Sequence, residues 1–158
     1  MFLLEPGQTH YDLRFHVFGV YVRVHPMFWL LSAILGFGLL NAGLAPFLIW
    51  MGCVFFSILI HELGHVYMFR ACGADAKVVL YSFGGLAIPD RRLHNRWQRI
   101  AVSFAGPLAQ FFILVAVALV LSMMGAPGFS VVGGFILNSF GIAGGERGLL
   151  ADLNIYAF

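Results

Sequence analysis

Two long stretches of this chain carry no charged side chain: none lies between Arg23 and Glu62, and none between Arg99 and Glu146. Each gap is about twice the ~20 apolar residues that one bilayer-crossing helix needs, so each is expected to hold two segments. Composition points the same way. The chain is 61% hydrophobic and only 10% charged, whereas a soluble domain carries about a quarter charged residues. Too little polar surface remains to coat a water-soluble globule, and a chain this apolar is not disordered. The 158 residues allow one domain, and a formal charge of +2 is too small to suggest a nucleic-acid partner. Cys53 and Cys72 lack CxxC spacing, which argues against a disulfide framework or a thiolate zinc site and for free thiols.

The breaks within the gaps are readable. Asn41, Gly43 and Pro46 interrupt the first, which predicts helices over 26–44 and 46–70, each opening with a proline that the first turn tolerates. Gly125-Ala126-Pro127-Gly128 interrupts the second, separating a strong helix over 98–124 from a weaker one over 129–142. Glycines at 133, 134 and 141 make that last segment short, broken or re-entrant. The expected fold is therefore an α-helical integral membrane protein of about four segments. The start of the chain is no signal peptide, because it lacks a basic n-region and Glu5, Pro6 and Gly7 interrupt its apolar opening.

Outside the apolar gaps, two runs favour β structure. Residues 14–24 are rich in valine and aromatics, and residues 76–88 read as a strand bent at Gly84-Gly85. These give the bundle minor β structure at its cytosolic interface. Orientation follows from the short loops. The connection over 70–99 holds Arg70, Lys77, Arg91, Arg92, Arg96 and Arg99, and the turns at 41–46 and 125–128 hold no Lys or Arg. The basic loop and the N-terminus, with Arg14 and Arg23, are expected on one side, the cytosolic one.

The chemistry-bearing motif is His61-Glu62-Leu63-Gly64-His65, near the end of the second apolar helix. Residues i and i+4 share a helical face, so both imidazoles can reach one metal ion. Glu62 is one residue further round, able to touch a metal-bound water without ligating the metal. This is the pattern of zinc hydrolases, in which the carboxylate takes the proton of the water and passes it to the leaving amine. By chance a pentapeptide fixed at three positions occurs in roughly 1% of chains this long. Its placement in an apolar segment sharpens the signal, since ionisable groups there are costly and functional by default. Haem ligation by His61 or His65 is a second reading, which leaves Glu62 without a role.

With these residues in view, the chain resembles the site-2 protease family of intramembrane zinc metalloproteases, especially its compact bacterial members. Four features in order carry the resemblance: Arg23-Val24-His25-Pro26 before the first helix, the His61–His65 motif, Ser82-Phe83-Gly84-Gly85 in a glycine-bent hairpin, and Ala105-Gly106-Pro107-Leu108 in the following helix. The resemblance implies one zinc ion held by His61 and His65, with Glu62 catalytic. It implies a multi-pass protein of the bacterial inner membrane, whose partners are the lipid bilayer and a transmembrane or membrane-adjacent substrate segment that it cleaves. A strand edge can hold an unwound peptide by main-chain pairing, and Ser82, Gly84 and Gly85 are the candidates for that role.

Two departures stand out. Four residues after the glycine of Ala-Gly-Pro the family usually has Asn. Gln110 stands there in this chain, and the resemblance implies a role for it in polarising or orienting the reacting carbonyl of the substrate. The family's third zinc ligand is an aspartate of an Asn-Pro-x-x-Asp-Gly-like segment, and Leu153-Asn154 looks like the approach to it. The expectation is a single membrane-embedded domain over 1–158, incomplete at its C-terminus, with the third ligand beyond residue 158. Asp152 is a poorer candidate, because it precedes the Leu-Asn landmark. A catalytically inactive membrane scaffold or binding protein, with the bundle but no complete metal site, is the alternative function.

Overall fold

The computed structural model of the chain describes residues 7–82 and 84–125. The fourth apolar segment, Glu146 and Asp152 lie outside the described residues. The order of elements is β1 (Leu13–Val17), β2 (Val20–Val24), α1 (Pro26–Gly36), a 3-10 turn over Phe37–Ala42, α2 (Leu44–Ala71), β3 (Ala76–Tyr81), β4 (Gly84–Pro89) and α3 (Arg96–Met123). Two compact units, Met1–Phe111 and Phe112–Phe158, divide the chain. The sheet, the helix-borne motif and all that surrounds it belong to the first.

Among the described residues, α2 and α3 are long and apolar enough to cross a membrane, and the apolar stretch Pro26–Ala42 is shorter. Only 6% of the most apolar window of α2 is buried inside the protein, which is the reverse of a soluble core helix and fits a helix facing lipid. Leu48, Ile49 and Phe56 are among its exposed apolar side chains. The helix opens after Gly43, whose φ of 116° turns the chain out of the preceding 3-10 turn, and Pro46 falls within the first turn, where no N–H is missed.

The sheet has the order β1-β2-β3-β4. Its N-terminal hairpin turns at Phe18 and Gly19, both at positive φ (49° and 74°), the geometry that matches the twist of a two-residue hairpin. The run over 14–24 is thus two strands rather than one. β2 pairs in parallel with β3, with Val22 opposite Val78 and Val24 opposite Leu80, and β3 returns antiparallel into β4. That second turn lies at Ser82 (φ 48°), ahead of the two glycines that were expected to bend it. Because β2 and β3 pair, the N-terminal hairpin and the segment after α2 lie at the same end of that helix.

The core forms where the sheet meets the second half of α2. Val20, Val22, Val24, Val78 and Leu80 pack on Phe28 of α1 and on Leu59, Leu63 and Val66 of α2, the last three spaced so as to share one helical face. The central strands are buried on both sides: Val79 is fully buried and Arg23 is 1% exposed. Arg23 is accommodated by an ion pair to Asp12 Oδ2 at 3.2 Å, and Asp12 also accepts from the Thr9 hydroxyl at 2.6 Å and its backbone N–H at 3.1 Å. His25 joins β2 to α1. Its Nδ1 accepts from the Met27 N–H at 3.1 Å, capping the helix ahead of Pro26, and its ring meets Tyr81 edge-on with centroids 4.9 Å apart.

Candidate metal centre

Three elements of the first unit converge on the motif: α2 supplies the reactive side chains, β4 lies over one of them, and α3 closes against the other two. The approach of α3 depends on small residues. A Cβ on Gly64 would stand 2.6 Å from the Ala105 carbonyl oxygen and 2.9 Å from the Ala109 Cβ, so the glycine of the motif is what lets the helices touch. Gly106 does the same on the facing helix, where it makes room for the imidazoles. A Cβ there would stand 2.6 Å from His65 Cε1 and 2.8 Å from His61 Nε2.

The imidazoles are held from behind. His65 Nδ1 lies 2.7 Å from the main-chain carbonyl of Val102, and His61 Nδ1 lies 3.1 Å from Gln110 Oε1. Both partners are acceptors, so each Nδ1 is placed to donate, an arrangement that turns each Nε2 toward the other ring. The two Nε2 atoms face each other at 3.2 Å. At that separation the two nitrogens can share a proton or hold a cation between them. Tetrahedral coordination with Zn–N bonds of 2.0–2.1 Å requires ligand nitrogens about 3.3 Å apart, so the spacing fits zinc. The outward hydrogen bond from each ligand ring is the usual support of a metal-bound histidine.

Glu62 points elsewhere. It is 7% exposed and lies under the edge strand. A Cβ on Gly85 would stand 2.7 Å from Glu62 Cδ and 2.8 Å from Oε1. The two glycines of β4 therefore do not turn the chain; Gly85 lets a strand lie flat against a carboxylate. Ser82 sits in the turn that leads into this strand.

The structure thus brings together His61, His65, Glu62, Gly85 and Gln110. Among the described residues, no group of three His, Cys, Asp or Glu side chains converges to hold a metal. Asp75 is engaged by Arg70 at 2.9 Å, and both cysteines are free thiols, with Cys53 exposed. Two participants escaped the sequence reading. Val102 acts through its main-chain carbonyl, which any residue would supply. Ser57, whose Oγ accepts from Gln110 Nε2 at 2.6 Å, did leave a signal: it stands four residues before His61, on the same face of α2.

Comparison with known proteins bears on the family of the chain. Residues 47–147 match the family model described as peptidase family M50. A zinc metalloprotease of Methanocaldococcus jannaschii is 31% identical over 114 residues, which make up 70% of this chain and 33% of that protein. A relative from Synechocystis sp., whose name also carries the words zinc metalloprotease, is 32% identical over 83 residues, 51% of this chain and 22% of its own length. The chain therefore spans no more than a third of either curated relative. Among solved structures, the site-2 protease from Methanocaldococcus jannaschii superposes with a TM-score of 0.55 at 28% identity, over 72% of this chain and 52% of that one.

Proposed function

The chain belongs to peptidase family M50, the site-2 proteases, and from that premise we propose that it is a zinc-dependent intramembrane endopeptidase. The observation that carries the proposal is the pair of facing Nε2 atoms, 3.2 Å apart, beside a buried carboxylate on a helix long and apolar enough to cross a bilayer. His61 and His65 would hold one zinc ion, with a third protein ligand supplied from outside the described residues. Zinc, when bound, supplies Lewis-acid polarisation of the scissile carbonyl and of the attacking water.

The protein's own groups do the rest. Glu62 takes the proton of the attacking water on a carboxylate oxygen and delivers it to the leaving amide nitrogen. The close approach of Gly85 holds the carboxylate beside the strand edge. A helical substrate hides its carbonyls in its own hydrogen bonds, so it must unwind first. The edge of β4 at Gly84 and Gly85, the last strand of the sheet, gives such a peptide main-chain partners next to Glu62.

Depth supports the same reading. The 28 residues of α2 span about 42 Å at 1.5 Å per residue, against ~30 Å of hydrocarbon. A span counted from Leu44 leaves the membrane near the motif, so water reaches the site from the side of the basic loop. That side is the cytosol by the charge of its loops, and the protein is a multi-pass resident of a bacterial inner membrane.

Zinc analysis of purified protein, with cleavage of a reconstituted transmembrane reporter and its loss in Glu62→Gln, tests the proposal. Absence of both zinc and cleavage would favour the inactive scaffold.

A further inference from the structure

Gln110 occupies the place where the family resemblance suggested a contact with the reacting carbonyl, yet both ends of its amide are already engaged inside the protein. Its Oε1 faces His61 Nδ1 at 3.1 Å and its Nε2 donates to Ser57 Oγ at 2.6 Å. We infer that Gln110, braced by Ser57, is a positioning residue for His61: it sets which ring nitrogen carries the proton and aims the other at His65.

Three observations support this. First, His65 has the same arrangement with a different support, its Nδ1 on the Val102 carbonyl at 2.7 Å. The two rings need equivalent props, and only His61 takes its own from a side chain. Second, reach matters. Ser57 and His61 stand one turn apart on α2, about 6 Å along the axis, and the amide on α3 touches both. Asparagine, one methylene shorter, would have to draw α3 nearer to do the same. Third, the Gly64 contact to Ala105 and Ala109 already sets the helix separation at its lower limit, so the longer side chain is what spans the remaining gap.

The inference rests on the zinc-protease reading for its consequence but not for its test. The protein in detergent, with its histidines labelled with nitrogen-15, reports the tautomer of each imidazole by NMR without metal. Three variants decide it. Gln110→Leu should shift His61 away from the Nδ1–H tautomer and lower zinc affinity about 10- to 100-fold, the range for loss of a ligand's outer hydrogen-bond partner. Ser57→Ala should move both readouts the same way by less. Gln110→Glu should keep the tautomer and the zinc affinity, because a carboxylate accepts from Nδ1–H at least as well as an amide oxygen. A carbonyl-polarising role predicts instead that Gln110→Leu leaves tautomer and zinc affinity unchanged and that Gln110→Glu loses cleavage, since Glu has no N–H to donate to a substrate.

His65 is the internal control, with its main-chain support untouched. An unchanged His61 tautomer in Gln110→Leu overturns the inference, as does movement of both rings together, which marks general disruption. If wild-type protein takes up no zinc, the protease reading fails. The tautomer of His61 in Gln110→Leu then still decides: retained Nδ1–H overturns the inference, and its loss sustains it.

Discussion

Gly106 stands directly against His65: a Cβ on the glycine would lie 2.6 Å from the ring Cε1, with no room for the ring to retreat because its Nδ1 is tied to Val102. Gly106→Ala should therefore expel the imidazole from its position and abolish zinc binding. Overpacking of this kind costs about 1–3 kcal/mol of stability, so the protein should still fold. Zinc content and thermal unfolding, measured together, check this; wild-type zinc content in the variant would contradict it.

Glu62→Gln should keep zinc and lose about 10²- to 10⁴-fold in cleavage rate, the usual contribution of a positioned proton-transfer group. The amide retains the shape and cannot accept the proton. Gly85→Ala should mimic the rate loss by displacing the carboxylate from under β4. Reporter cleavage by reconstituted protein is the measurement, with metal analysis alongside.

His61→Ala and His65→Ala should each lose zinc, because neither leaves enough protein ligands for a catalytic site. Equilibrium dialysis distinguishes these from the Glu62 variant, which keeps its metal.

The N-terminal hairpin should be acid-sensitive through Asp12. Burial on its own would raise this carboxyl, but the Thr9 hydroxyl and N–H and the Arg23 guanidinium outweigh it and hold it below its ordinary value of 3.8. The unfolded chain then binds the proton more readily than the folded one. The stabilising contribution is complete above about pH 5, beyond the ordinary range of an unfolded carboxylate, and is lost as pH falls through the lowered value. Thermal unfolding followed below pH 5 should show this slope, and Asp12→Asn should flatten it.

A cysteine introduced at Asn95, where the side-chain oxygen caps α3 through the Trp97 N–H at 2.9 Å, should label from the cytosolic side. Labelling from outside intact cells would reverse the orientation and the side of water access.

Most of the helical frame was legible because charge gaps and prolines report directly on it. α2 and α3 begin and end within two residues of their expected bounds. The first helix ends early, at Gly36, and the chain continues as a 3-10 turn; a Cβ on that glycine would collide with the indole of Trp50. The β structure was harder. A valine-rich run conceals its own turn when the turn residue is Phe18, a side chain rarely found at positive φ. At the site, residue types pointed to the side chains that the structure brings close together: His61, Glu62 and His65. They could not reveal Val102, whose contribution is a carbonyl common to all residues, nor the fact that Gln110 turns inward to His61.

The sheet has a consequence for where α2 can sit. It is packed on Leu59, Leu63 and Val66, so the helix cannot slide along the membrane normal without dragging four strands, with their polar edges, into hydrocarbon. The strands act as a float that fixes the draught of α2, and adjustment to a thicker or thinner membrane must come from the lipid. A bilayer thickened by about 3 Å would cover two further residues of helix, at 1.5 Å each. Near His61 that is half a turn, enough to change whether that end of the helix borders bulk water or acyl chain. On the proposed function, membrane thickness, set by acyl length, is expected to act on turnover through the depth of α2, with no residue of the site involved.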